Sequence, residues 1–491
     1  MFQLLLLPLI ASQALGYCPP TGPVLPVPKI PENFKPTTLI AALEALGAGS
    51  ARLNTTATSF SISMTSLNSV FLDFHHTASS KNSSGVKVVD NDTVYRVASN
   101  TKIYIALAIL LEFPGKLDDP VGSYIPELKN NKAYKDVTLR LLASHMAGVP
   151  RDEFFADLAN DTLTSPPGER SAYSNHGFNL LGFALQGKTG KSFQDVIHDD
   201  ITAPLGLRST TFVAPTPSKA IIPAGPSSVW YDLDISNFKA TAGLYSTPAE
   251  MSTFLRSILT SKLLTPARTR AWLKPTSFTG GLNGAAGMPW EIFRVPVAGR
   301  VVDVYTKSGD ITVYAAYSVL VPEFGVGVTI HAAGAQAYRA TAELLDLVAT
   351  KLVPELETLA REQAKTGYAG TYTSKTAAFM LAVDAGPGLR IQTWTRGGKD
   401  VFAGLAVLRG AKNASDVEAR LYPVADGRWR MVMETPKEGT GMLAITCDSW
   451  MKVDQFRYAG LPVDEFDFQM GQKGVEGIQA LGLRQTFVKR A

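Results

Sequence analysis

A polar lead-in gives way at Ser99 to a nearly unbroken apolar run, and the segment Val94 to Leu111 reads VYRVASNTKIYIALAILL. That length and composition predict a helix with Ser99 near its first turn. Ser99 and Lys102 are three residues apart, and positions i and i+3 share a helix face, so the amine can reach the hydroxyl. A desolvated lysine beside a serine is one way to make a poor nucleophile attack at neutral pH. The first turn of a helix also offers unpaired N–H groups to an oxyanion. Standing alone, the segment is equally an amphipathic helix with a serine at its head and a lysine in solvent.

The chain around it is 491 residues long, more than one ordinary core supports, so two or three domains are expected. Net charge is +4 with no block of lysines or arginines, and neither nucleic acid nor an anionic membrane is expected as a partner. Residues 1–16, MFQLLLLPLIASQALG, read as a signal peptide. Their apolar core, Leu4 to Ile10, is too short to span a bilayer, and Ala14 and Gly16 place a cleavage before Tyr17. The expected location is therefore extracellular. Sequons at Asn54, Asn82, Asn91, Asn160 and Asn413 agree with a eukaryotic secretory route and mark expected glycosylation sites. Cys18 and Cys447 are the only cysteines, and two cysteines in an exported chain most simply form one bridge. Neither has a histidine nearby, and the six histidines show no zinc-binding spacing, so no metal site is expected.

Taken in order, residues 17–36 are proline-rich and expected to run extended. A short helix is expected at Thr37 to Leu46, then two strands between Thr56 and Thr77 with a turn at Ser66 to Ser69. Residues 114–300 read as mostly helix and loop. Helices are expected at Thr138 to His145, Gly177 to Gln186 (closed by Gly187), Phe193 to Ile201 and Ala249 to Leu259. From Arg300 to Ala333 β-branched and aromatic residues predict antiparallel strands, with a turn at Pro322 to Gly325 and a closing helix at Ala340 to Leu352. The reading is α+β, a sheet interrupted by a helical insertion, spanning residues 37–365. Short alternating segments in 366–491 predict a separate all-β domain, sandwich or barrel, without a catalytic constellation.

Three features make chemical sense together: Ser99 with Lys102, the loop Tyr173-Ser174-Asn175, and Lys307-Ser308-Gly309 on an expected strand. Ser99 would attack a carbonyl while Lys102 and the Tyr173 phenol share the proton, and two nearby cations, Lys102 and Lys307, would lower the phenol's proton affinity. Asn175 can fix Lys102 and donate to a substrate carbonyl. Gly309 would let substrate approach the strand, whose N–H groups can complete an oxyanion hole. The chain also carries decoys. Ser236-Asn-Phe-Lys239 repeats the Ser-x-x-Lys spacing in a short non-helical stretch, and Lys188-Thr189-Gly190 reads as a helix C-cap and turn. His145 and His176 raise a serine–histidine triad, but no G-x-S-x-G elbow exists, and both are expected to pack or hydrogen-bond.

The set Ser99-x-x-Lys102, Tyr173-x-Asn175 and Lys307-Ser-Gly, in that order, resembles the serine β-lactamase and penicillin-binding-protein superfamily. The Tyr-x-Asn form is similar to class C β-lactamases, D-Ala-D-Ala carboxypeptidases and family VIII esterases. Supporting stretches are VTLRLLASHMAGVP, PPGERSAYSNHGFNLLG, PLGLRST and ATAGLYSTPAEMSTFL, and the resemblance covers roughly residues 35–350. It implies the β-lactamase/transpeptidase fold, Ser99 as acylated nucleophile, Lys102 and Tyr173 as proton handlers, Asn175 as orienter and Lys307 as electrostatic anchor. It also implies an oxyanion hole of the Ser99 and Asp310 N–H groups, with no cofactor. With the export signal, it implies a secreted fungal β-lactamase-like hydrolase acting on a small ester or amide, such as a secondary-metabolite ester, lactone or β-lactam. Acyl transfer to an alcohol, or a non-catalytic binding protein, are the alternatives. Asp310 departs from the small residue usual there, and its carboxylate is expected to repel an anionic substrate, an effect that Arg96 would offset.

Overall fold

The computed structural model of the chain describes residues 17–31, 33–49, 53–153, 157–434, 447–472 and 474–490. The expected signal peptide lies outside them. Among the described residues, ten strands lie wholly or largely in the first of two compact units: β1 Thr58–Thr65, β2 Val70–His76, β3 Tyr95–Arg96, β4 Tyr245–Ser246, β5 Ser277–Phe278, β6 Gly284–Ala286, β7 Glu291–Val297, β8 Arg300–Ile311, β9 Tyr314–Val321 and β10 Val326–Gly334. Eight of them form one sheet in the order β2-β1-β10-β9-β8-β7-β6-β5, and β3 and β4 pair separately. The early hairpin β1–β2 thus zips onto the late strand β10, in register from Thr58 opposite Gly334 to Thr65 opposite Gly327. The stretch between β2 and β5 is inserted, mostly as helix. Sheet strands β5 to β7 precede Arg300, in a stretch expected to be mostly helix and loop.

Strand β1 is buried throughout, yet alternates Ser and Thr with Phe60, Ile62 and Met64. Its polar face is satisfied by neighbours, since a buried hydroxyl needs a partner. Ser252 Oγ donates to Ser63 Oγ at 2.9 Å and Arg256 Nε to Thr65 Oγ1 at 2.8 Å, which docks the helix Pro248–Leu259 onto the sheet. That helix starts as its sequence predicts, with Thr247 accepting from the Glu250 N–H.

The helix carrying the lysine runs Thr101–Glu112 and is buried from Thr101 to Leu110 on every side, as a helix without a polar face must be. The expected helix ending at Gly187 instead spans Asn175–Thr189 and stops at Gly190, whose φ is +70°. Gly187 is a packing glycine: a Cβ there would lie 2.0 Å from the Tyr124 carbonyl oxygen. The helix expected at Phe193 to Ile201 is three pieces, Phe193–Ile197, a π-helical turn His198–Thr202 and Ala203–Leu205. Pro204 explains the wider turn, because it has no N–H for the usual helical bond. The closing helix departs in the same way. Ala337–Leu347 passes through a π-helical turn, Val348–Leu352, before Pro354, and continues as Val353–Tyr368.

The second unit comprises residues 17–29, 296–302 and 353 onward, so the change of unit comes at Val353, ahead of Lys365. Eight strands, between Gly370 and Lys489, run in a continuous antiparallel order, and Ala377–Ala382 pairs with Leu389–Arg396 to close them into a barrel. Closure leaves no unpaired edge in that ring. The domain is not purely β: Val401–Arg409 is a helix, capped by Asp400 and ended at Gly410. Cys18 and Cys447 are bonded, 5.2 Å apart at Cα, and the Arg420 guanidinium lies over the Tyr17 ring. The N-terminal segment is thereby held on the barrel unit. No helix among the described residues is long and apolar enough to cross a membrane.

Candidate active site

Ser99 sits in a 3-10 turn, Ala98–Asn100, that leads into the buried helix. Ala98 is left-handed at φ +46°, a conformation that costs a non-glycine residue about 1–2 kcal/mol and persists only when its surroundings impose it. They do so here. Val97 N–H donates to the Leu244 carbonyl at 3.0 Å, Thr101 Oγ1 to the Ala98 carbonyl at 2.7 Å, and Asn100 Nδ2 to the carbonyls of Val97 and Ala316 at 3.1 and 3.2 Å. The last bond ties the turn to β9.

Lys102 is fully buried and spends its three donors on Ser99 Oγ at 3.0 Å, Asn175 Oδ1 at 2.8 Å and the Thr241 carbonyl at 3.0 Å. The Tyr173 hydroxyl donates to Ser99 Oγ at 2.9 Å. Asn175 is not the helix cap. Ser174 is, accepting from the Gly177 N–H, which leaves Asn175 free to hold Lys102 and to donate from Nδ2 to Asp152 at 2.6 Å. Lys102, Lys307 and Arg151 all lie 5.0–5.2 Å from the centre of the Tyr173 ring. Burial pushes the Tyr173 phenol up, but the cations Lys102 and Lys307 outweigh it and bring it down to about 8. Burial, aided by Lys307, brings the Lys102 amine down to about 8 as well. A hydroxyl flanked by two groups that exchange protons near neutrality can be deprotonated as it attacks.

Strand β8 supplies Lys307 and Gly309 to this side of the sheet, opposite Ser318 and Ala316 of β9. A Cβ on Gly309 would meet Val97 O at 2.3 Å and Ser99 N at 3.0 Å. The glycine is therefore required by the close pass of the nucleophile's own turn, rather than by an approaching substrate alone. Asp310 is exposed and is not among the bonding partners of the Lys307 ammonium. The carboxylate beside Lys307 belongs to Glu291, which the sequence reading missed because β7 went unrecognised. Glu291 Oε1 accepts from Lys307 Nζ at 2.6 Å and Ser308 Oγ at 2.7 Å, and Oε2 from Ser308 N–H at 2.8 Å. Burial works against the Lys307 charge, but Glu291 and Tyr173 hold its amine above the usual lysine value. A Gly in a tight turn between two apolar alternating runs, Ala298-Gly299 here, is the hairpin signal that would have found it.

Other expected residues lie elsewhere. Arg96 is buried and donates to the carbonyls of Trp230 and Leu233, so it is committed away from Asp310. Lys239 of the decoy pairs with Asp234 at 3.1 Å in a short helical turn. His145 accepts the Ser174 N–H at 3.2 Å and packs its ring 4.5 Å from that of Tyr173; burial and the cations Lys102, Lys307 and Arg151 keep it neutral. His176 bonds Asp161 at 2.9 Å, away from Ser99 Oγ, whose partners are Lys102 and Tyr173. Among the described residues no cluster could hold a metal ion.

Set beside known proteins, residues 74–351 match the family model described as Beta-lactamase, and residues 360–491 match one described as Beta-lactamase-like-like, C-terminal domain. A "Beta-lactamase-like protein" of Arthroderma benhamiae is 28% identical over 100% of this chain and 99% of its own. "Probable hydrolase clz13" of Cochliobolus lunatus is 26% identical, over 93% of this chain and 88% of its own. The solved β-lactamase/D-alanine carboxypeptidase of Yersinia pestis aligns with a TM-score of 0.53 at 22% identity. It covers 65% of this chain and 100% of that one, a likeness of fold.

Proposed function

The chain belongs to the β-lactamase family, and on that premise we propose that it is a serine hydrolase cleaving a small-molecule ester or amide through an acyl-enzyme on Ser99. One observation carries the reading: Ser99 Oγ stands 3.0 Å from the Lys102 amine and 2.9 Å from the Tyr173 hydroxyl, both with proton affinities near 8. As Ser99 Oγ attacks the carbonyl carbon, its proton passes to Tyr173 or Lys102 in its basic form. The bond to the leaving alcohol or amine then breaks, and the same group returns the proton to it. Water attacks the acyl-serine by the reverse traffic, releasing the acid. Asn175 keeps Lys102 aimed, and Lys307 favours the phenolate. The N–H groups of Ser99 and Asp310 take the oxyanion role. The hydrolase name of the Cochliobolus relative supports hydrolysis over mere binding.

Export fits the Cys18–Cys447 bond, since such bonds persist in oxidising compartments. Of the five sequons, Asn91 keeps its Oδ1 buried, whereas Asn54, Asn160 and Asn413 are exposed and are the sites proposed to carry glycan first. The test uses purified protein with a chromogenic β-lactam, a short-chain aryl ester and a serine-reactive phosphonate, beside Ser99→Ala. We expect label and ester turnover in the wild type and neither in the variant. Absence of both from the wild type would overturn the reading.

A further inference from the structure

At the Lys307–Ser308 end of β8 a buried ammonium, a hydroxyl and a backbone N–H converge, the donor set that holds a carboxylate. A carboxylate of this chain already occupies all three. Glu291 is the first residue of β7, and Thr306 Oγ1 donates to its carbonyl at 2.8 Å, so the hairpin partner strand delivers it there. Its side chain is 32% exposed, while that of Lys307 is 0% exposed. Solvent, and hence a ligand, meets Glu291 before it meets the ammonium.

We propose that Glu291 is a specificity-determining residue: it fills the Lys307–Ser308 cradle, bars substrates that present a carboxylate there, and admits acyl donors that are neutral or cationic at that point. The inference rests on the hydrolase reading above. A second carboxylate would have to displace Glu291 or sit beside it, and like charges sharing one site disfavour each other strongly. Asp310 does not take that place, because the Lys307 ammonium bonds Glu291 and not Asp310. On the same strand as Glu291, Phe293 adds apolar surface, 43% exposed.

The test compares an aryl ester carrying a carboxylate with its neutral methyl-ester counterpart, in wild type, Glu291→Gln and Glu291→Asp, each checked for folding by thermal melting. Wild type should favour the neutral ester in kcat/KM, Glu291→Gln should narrow that ratio at least tenfold through KM, and Glu291→Asp should retain it. The same pair is titrated calorimetrically against Ser99→Ala with and without Glu291→Gln, which reads the preference without turnover. An unchanged binding and rate ratio in Glu291→Gln, or an equal loss in Glu291→Asp, overturns the proposal. Failure of phosphonate to label Ser99 would instead overturn the hydrolase reading, and the calorimetric ratio would still decide the role of Glu291.

Discussion

Tyr173 and Lys102 hold the residue-scale consequences. Each lies near 8, one brought down from the phenol range and one from the amine range, and each serves as base only once deprotonated. The kcat/KM for a neutral ester should therefore rise about tenfold per pH unit below about 8 and level above it, as a pH–rate profile will show. Lys307→Met removes a cation that lowers the phenol and leaves Glu291 uncompensated. Both effects raise the Tyr173 proton affinity, so the profile should shift to higher pH. Tyr173→Phe should lose at least about 100-fold in kcat with little change in KM, the signature of a proton handler.

At the scale of elements, the site depends on β8 passing the nucleophile turn within reach of Gly309. Gly309→Ala pushes a methyl into the Val97 carbonyl, and a displacement of about 1 Å there should cost about 100-fold in kcat. Thermal melting should show a loss of about 1–3 kcal/mol. The central strand β10 carries a different liability. His331 is fully buried against the Tyr95 ring, bonded through Nε2 to Thr329, and burial brings it down to about 3. Its folded value lies below its unfolded value, so the unfolded chain binds the extra proton between about 3 and 6.5 and stability falls as pH drops through that window. The slope from this group approaches about 1.4 kcal/mol per pH unit. Urea titrations at pH 7 and 5.5 should show a shallower acid loss in His331→Leu. The alternation of β1 and β10 was legible in their residues; that a histidine would end up inside the sheet was not, because one strand does not reveal which face its neighbours cover.

For the whole molecule, the Cys18–Cys447 bond spans a sequence separation of 429 and ties the N-terminal segment to the barrel unit. Chain-entropy reasoning gives such a long closure about 6 kcal/mol, less any strain. In the full chain, Cys18→Ser with Cys447→Ser should lower the melting of the barrel unit while phosphonate labelling of Ser99 persists. A parallel fall in labelling would mean that the bond supports the catalytic unit too. The two-part organisation was readable from the change of texture beyond Lys365. The compact units divide at Val353, within a run of helix, where the helix Val353–Tyr368 continues the pattern of the one before it.

The sequence by itself determined the order of the chemistry-bearing motifs, the apolar helix behind Ser99 and the β-rich character of both ends, because these depend on local spacing and periodicity. Only tertiary structure decided that Lys102 and Tyr173 meet at the Ser99 hydroxyl with Lys307 beside the Tyr173 ring, and that Glu291, not Asp310, bonds Lys307. An unforeseen hairpin carried Glu291 in. Proton affinities depend on burial and on charges a few ångströms off, and no run of neighbouring residues encodes either. The serine at the head of the helix was legible early; the carboxylate bonded to Lys307 comes from a side chain nearly two hundred positions downstream of it.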